Sequence, residues 1–370
     1  MCRSFLSVLF ALVVHLGFSQ FKPIQYLKNV FNDTALTERP KWIGYPTIAY
    51  APETSWEIGA ASAVLYYAKK DTNNRLSEAS GFTFFTLEGQ YGLHLEHAIY
   101  SDKNNWFSLG KMKFQSYPLA YYGVGPSISG EELAIANANF IIVRERLLRK
   151  IKGHWYAGVE VNLESLSKVR FDWEEGVTPE TNILGIDGYS NFGVGLGLVY
   201  DSRHNVLNVR EGFLSEIAFL GYNQGLGSTN NLNTVFLDNR AFFKTSKRNV
   251  LALQMIGQFS TGEVPFNQLS MIGGEMMMRG YYLGKFRDRN MCALQAEHRW
   301  LPFSFSKRIG GALFAGLGSV SENLNFNKLL WTAGGGVRFL LFPKRDVFTR
   351  IDVGVNPYGY GVYFFIGEAF

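Results

Sequence analysis

Few residues of this chain have the type and spacing to do chemistry, and the best of them form an ion pair rather than a catalytic set. The run Gly273-Gly-Glu-Met-Met-Met-Arg-Gly-Tyr-Tyr282 carries Arg279, Gly280 and Tyr281, and Gln295-Ala-Glu-His-Arg-Trp300 carries Glu297. Arg279 sits in Thr261–Asn290, the longest irregular stretch of the sequence. Stretches of that length are commonly functional or disordered. If this one folds back against the strand that follows, its guanidinium enters a confined space and needs a carboxylate, because an unpaired buried charge is costly. Glu297 is the candidate, since it shares a strand face with Gln295 and Arg299, opposite Leu294 and Ala296. A guanidinium fits a carboxylate bidentately, as lysine cannot. Gly280 permits a sharp turn at the tip, and Gly316 and Gly318, in Phe314-Ala-Gly-Leu-Gly318, leave room for a loop to approach.

The other constellations point away from catalysis. His94 and Glu96 fall on one strand face and His97 on the other, so the histidines cannot chelate one metal from one strand. Gly193-Val-Gly-Leu-Gly197 is followed by strand rather than helix, which fails the dinucleotide pattern. A lipid-facing hydrolase needs a Ser–His pair, and nothing in the sequence favours one. Asp172, Glu174, Glu175, Glu180 and Asp187 read as a solvated acidic loop. The formal charge of +5 is spread along the chain without a basic block, which argues against nucleic acid. The expectation is a non-enzyme without metal or cofactor.

The elements that must hold these residues read as strands. The 370 residues are 47% hydrophobic, 18% charged and 15% aromatic, with 39 glycines. No apolar run after the N-terminus is long enough for a helical span of roughly 20 residues. From Pro46 onward, strand-like runs alternate with polar or glycine-rich breaks, giving about sixteen strands, an even number as barrels require. Trp155, Ala157, Val159, Val161 and Leu163 oppose Tyr156, Gly158, Glu160, Asn162 and Glu164. A soluble sandwich would alternate too, but this second face suits a crowded, hydrated lumen. The last strand places Tyr360, Val362, Phe364, Ile366 and Phe370 on one face, with Phe364, Ile366 and Phe370 as a C-terminal assembly signal. Short turns at 69–78, 101–105, 302–307 and 343–346 fall on the periplasmic side if the N-terminus is periplasmic, and the longer connections at 117–130, 168–188 and 261–290 fall outside.

Residues 1–19 read as a secretory signal, with Arg3 before an apolar run and Gly17-Phe-Ser19 as cleavage site. Residues 20–45 read as a short periplasmic pre-barrel segment, with one or two helical turns over Pro23–Asn32, and 46–370 as the barrel. Cleavage leaves Cys292 as the only cysteine, so no intramolecular disulfide forms.

At Arg279-Gly280-Tyr281, with Phe314-Ala-Gly316-Leu-Gly318 on the thirteenth strand, Tyr200-Asp-Ser-Arg-His-Asn205 and the terminal Phe370, the sequence resembles the Omp85 superfamily, the BamA/TamA-like, surface-antigen-D15-type barrel. These motifs span most of 46–370. The resemblance implies an all-β, up-and-down antiparallel transmembrane barrel of about 16 strands, with extracellular loop six in the lumen and Arg279 paired to Glu297. One departure matters: many members place Asp where this chain has Gly316, which leaves Glu297 alone or helped by Asp352. The segment before the barrel is too short for a POTRA domain, so the chain looks like a POTRA-less branch. The implied function is insertion, assembly or translocation of proteins at the outer membrane of a Gram-negative bacterium, through a weak seam between first and last strands. Outer-membrane lipid and, during biogenesis, the barrel-assembly machinery are the implied partners. The alternatives are a structural barrel that pairs with itself or with an accessory protein, and a passive pore.

Overall fold

A computed structural model describes residues 39–51, 55–128, 130–203, 206, 208–343 and 346–370. The signal segment 1–19 and most of 20–45, with its helical turns, lie outside the described residues.

Alternation of apolar and polar residues builds strands, and strands account for nearly everything described. In chain order they are β1 (Lys41–Ala51), β2 (Ser55–Tyr67), β3 (Leu76–Thr86), β4 (Tyr91–Tyr100), β5 (Trp106–Tyr121), β6 (Ala134–Lys152), β7 (Trp155–Trp173), β8 (Tyr189–Asp201) and β9 (Gly212–Tyr222). There follow β10 (Leu232–Lys244), β11 (Asn249–Gly262), β12 (Ser270–Ile272), β13 (Phe286–Asp288), β14 (Asn290–Trp300), β15 (Ile309–Ser321), β16 (Leu330–Phe342), β17 (Val347–Asn356) and β18 (Gly359–Ile366). Sixteen form one antiparallel meander, and β12 and β13 form a separate hairpin inside loop six. The thirteenth wall strand is therefore β15.

The two faces are inverted relative to a water-soluble protein. Leu196 is 66% and Leu313 59% exposed, whereas Glu297, Arg338 and Asp352 are 0% exposed. An outward apolar band over a polar interior is what lipid requires. Outward aromatics mark both rims: Trp42, Trp106 and Trp155 at the end where β1 begins, and Trp56, Tyr91, Trp331 and Tyr360 at the end that carries loop six. They match the girdles of membrane barrels.

Three expectations need correction. β1 begins at Lys41, inside the expected pre-barrel segment 20–45, and runs through Pro46, which pairs with Ala60. Proline is tolerated because β1 is an edge strand. β5 and β7 run into the connections expected at 117–130 and 168–188, because Ala134, Ala136 and Ala138 of β6 pack with Tyr121, Leu166 and Phe266 above the wall. The cylinder is not closed by a ladder either, since β1 and β18 are the unpaired ends of the strand order. Side chains bring the ends together instead. Ile43, Leu65 and Leu76 pack with Phe342 and Val347, and the Lys41 ammonium lies 4.1 Å from the Phe342 ring centre.

A lipid-facing wall makes a direct demand on mid-strand residues. Leu196→Arg should lower the unfolding free energy in phospholipid vesicles by about 2–4 kcal/mol, read from urea midpoints; an unchanged midpoint would place that face in water.

Candidate functional site: the loop-six arginine in the lumen

Loop six leaves β11, pairs with itself through β12 and β13, and folds its tip into the lumen. Arg279 is fully buried there. Its Nη2 donates to Glu297 on β14 and its Nη1 to Asp352 on β17. Its guanidinium carbon lies 3.5 Å from the ring centre of Phe314 on β15, a cation–π contact. The Arg279 carbonyl accepts from Thr332 Oγ1 on β16. The Gly280 amide donates to Tyr363 Oη on β18 at 2.9 Å, and Tyr281 Oη donates to the Trp331 carbonyl at 3.0 Å. Three consecutive loop residues thus bind all of the last five strands.

Glycines make this fit possible. Gly280 has φ +111°, and a Cβ there would sit 2.9 Å from the Gly354 carbonyl group, so both the conformation and the space require glycine. Gly316 and Gly318 face the loop, where added carbons would lie 3.0 Å from Met278 Sδ and 3.2 Å from Ile272 Cδ1. The aspartate missing at position 316 is replaced from another strand. Asp352 supplies the second carboxylate, and the Met278 side chain fills the space over Gly316.

The pair belongs to a larger cluster that the sequence reading did not assemble. Glu297 also accepts from Arg299 Nε at 2.8 Å and Arg338 Nη2 at 3.0 Å. Asp352 accepts from Arg338 Nη1 and from Arg350 Nη1, the latter at 2.6 Å. Each central carboxylate is therefore shared by three arginines. Glu368 adds a third acid, 3.1 Å from Arg338 Nε and 3.6 Å from Arg299 Nε. Removing these ions from water costs several kcal/mol each, offset only where donors and acceptors are matched this closely. In the loop itself Arg287 has no such acid among the described residues. It donates to the carbonyls of Gly284 and Ala120, and burial pushes its guanidinium down to about 10.

The C-terminal residues divide between lipid and lumen. Phe364 and Ile366 face outward, 64% and 41% exposed. Phe370 does not share that face. β18 ends at Ile366, Gly367 turns the chain inward, and Phe370 packs beside Phe242 with Arg299 over its ring at 5.2 Å. Arg299 Nη2 also donates to the Phe370 main-chain oxygen at 3.0 Å. His298, next to Glu297 on β14, points outward and stacks edge-on against Trp300 at 4.6 Å.

Residues 86–370 match the family model for the Omp85 superfamily domain. The chain belongs to the Omp85 superfamily. Solved structures agree on the fold. BamA from Haemophilus ducreyi lacking POTRA domains 1–3 superposes with a TM-score of 0.54 at 13% identity, over 88% of this chain and 68% of that one. CdiB from Escherichia coli gives 0.57 at 13% identity, over 90% of this chain and 63% of that one. CdiB from Acinetobacter baumannii gives 0.56 at 13% identity, over 90% and 60%. This Omp85 chain thus spans less than two thirds of either CdiB chain. A comparison with curated protein sequences found no match.

Breaking the clamp leaves two buried carboxylates short of a donor. Arg279→Ala should cost about 3–5 kcal/mol in denaturant unfolding in micelles and open loop six to trypsin at Lys285. Arg279→Lys should recover only part of that stability, because one ammonium cannot fork between Glu297 and Asp352; full recovery would refute the two-carboxylate geometry.

Proposed function

We propose that this barrel aids the insertion, assembly or translocation of proteins at the outer membrane, with the seam between β1 and β18 as the working edge. The observation that carries this reading is the missing ladder between the two terminal strands. Unpaired backbone donors and acceptors on a strand edge are a template for an incoming strand. In lipid, where no water can satisfy them, that demand is stronger. Pro46 weakens pairing on β1 further, because it brings no N–H. Loop six bears on this seam directly, since Gly280 is held by Tyr363 of β18. Superfamily membership supports the same function class.

A passive pore fits less well. The loop-six tip and the arginine–carboxylate cluster occupy the lumen between β14 and β18. In planar bilayers the wild-type barrel should stay closed and a deletion of residues 273–284 should conduct; equal conductance of the two would return the pore reading.

The edge hypothesis is tested by placing a photo-cross-linking amino acid at Val362 on β18 and, separately, at Trp42 on β1 in native outer membranes. The expected products are cross-links to nascent barrels or exported chains. Recovery of nothing but this chain would defeat the proposal.

A further inference from the structure

The wall carries a polar island on its lipid face that the loop-six machinery does not use. His97 on β4, Gly110 on β5 and Glu145 on β6 are neighbours on one row of the sheet. That row points outward: Ile99, Leu147 and Val161 share its face, whereas Tyr100, Phe107 and Leu148 pack inside. With no side chain at Gly110, the imidazole and carboxylate close over it, His97 Nε2 lying 3.5 Å from Glu145 Oε2 and 3.2 Å from Ser108 Oγ. A Cβ at position 110 would sit 2.0 Å from His97 Cε1 and 2.4 Å from Glu145 Oε1. The hydroxyl and the carboxylate meet the same ring nitrogen, so the trio is not arranged as a nucleophile, base and orienting acid.

Its depth is what makes the island costly. The rim aromatics on these strands are Trp106 and Tyr91, which stand opposite Arg149 and Ser116. Gly110 lies four residues above Trp106 along β5, which at ~3.3 Å per residue and a tilt of ~40° is about 10 Å into an apolar band of about 25 Å. Ionisable side chains at such a depth are costly and mark functional sites. His97 and Glu145 remain 25% and 37% exposed on this outer face, so the chain does not cover them itself. Beside them, across β1–β4, a groove of about 400 Å³ has Gly44, Ala60, Ser62 and Gly81 along its floor, with Trp42 and Leu93 among its larger lining residues. Small residues of this kind let a second backbone approach closely within a bilayer.

We propose that the β4–β6 wall is the interface of a two-fold dimer of this chain, in which His97 and Glu145 of one copy pair with Glu145 and His97 of the other across the two Gly110 notches. Acyl chains offer no hydrogen-bonding group to the island. A partner of single charge would satisfy half of it. A second copy satisfies both halves, because in a contact with two-fold symmetry residue i meets j while j meets i. The two copies stand side by side in the same orientation. The inference deepens the self-associating alternative and stands whether or not the β1–β18 seam accepts a substrate.

The test uses full-length protein in outer membranes and in lipid nanodiscs. With Cys292→Ser as background, Ser108→Cys should give a bismaleimide-linked dimer, while Leu317→Cys on β15 should not. The double variant His97→Leu, Glu145→Leu should insert at least as well as wild type, because the wall is then apolar throughout, and should lose at least tenfold in dimer fraction by mass photometry. Wild-type protein that is monomeric in nanodiscs, equal cross-linking at both cysteines, cross-links from Ser108→Cys to a different protein, or a dimer indifferent to the double variant would each overturn the proposal.

Discussion

Glu297 and Asp352 hold one guanidinium between them, and the closing third of the barrel is organised around that contact. The carboxylates belong to β14 and β17, so Arg279 ties strands that are not neighbours. Phe314 on β15 and Thr332 on β16 complete the ring around it. Without the loop each acid would keep two wall arginines but lose its third, and both carboxylates are fully buried, where a lost partner is costly. The loop in turn could not stay inside without them. Gly280 and Gly354 let backbone meet backbone at the contact, and Gly316 and Gly318 leave room for the Met278 and Ile272 side chains.

That arrangement inverts the usual economy of a folded protein. Hydrophobic side chains face outward because lipid surrounds them, so the lumen has to be held by polar contacts. A second set of ion pairs, Arg144 and Arg146 with Glu160 and Glu216, performs the same task on β6, β7 and β9. Near the short turns, Arg75 reaches across to Asp201 at 2.6 Å, and Arg210 to Asp346 at 2.6 Å. Long-range charge pairs thus share the interior of this barrel with apolar clusters, one around Met278, Tyr281 and Phe286 of loop six and one around Tyr100, Phe107 and Leu148. The two ends of the sheet differ, β1–β3 meeting β16 and β17 through the apolar contacts around Phe342 and one cation–π contact.

Much of this could be read from residues alone, and the limits are physical. Period-two alternation gave the number of wall strands and the inward direction of Glu297, because a strand side chain has only two faces to choose from. Alternation does not give height. Arg338 and Arg350 are inward by the same rule, but only the stagger of each ladder brings them level with Glu297 and Asp352. Register was also needed to see His97 and Glu145 meet, since Gly110 lies on the strand between them. Phe370 went astray because alternation was carried past Gly367, whose φ of +95° ends the strand. The start of β1 at Lys41 was not marked by alternation, and Pro46 does not interrupt it, since an edge strand accommodates proline.

The most direct measurement is the coupling between Arg279 and Glu297, from a double-mutant cycle with Arg279→Met and Glu297→Gln in denaturant unfolding. A pair buried in the lumen should show a coupling energy of about 2 kcal/mol or more. Coupling within the range of exposed ion pairs, about 0–1 kcal/mol, would mean that the arginine stands in water and that the lumen is held in some other way.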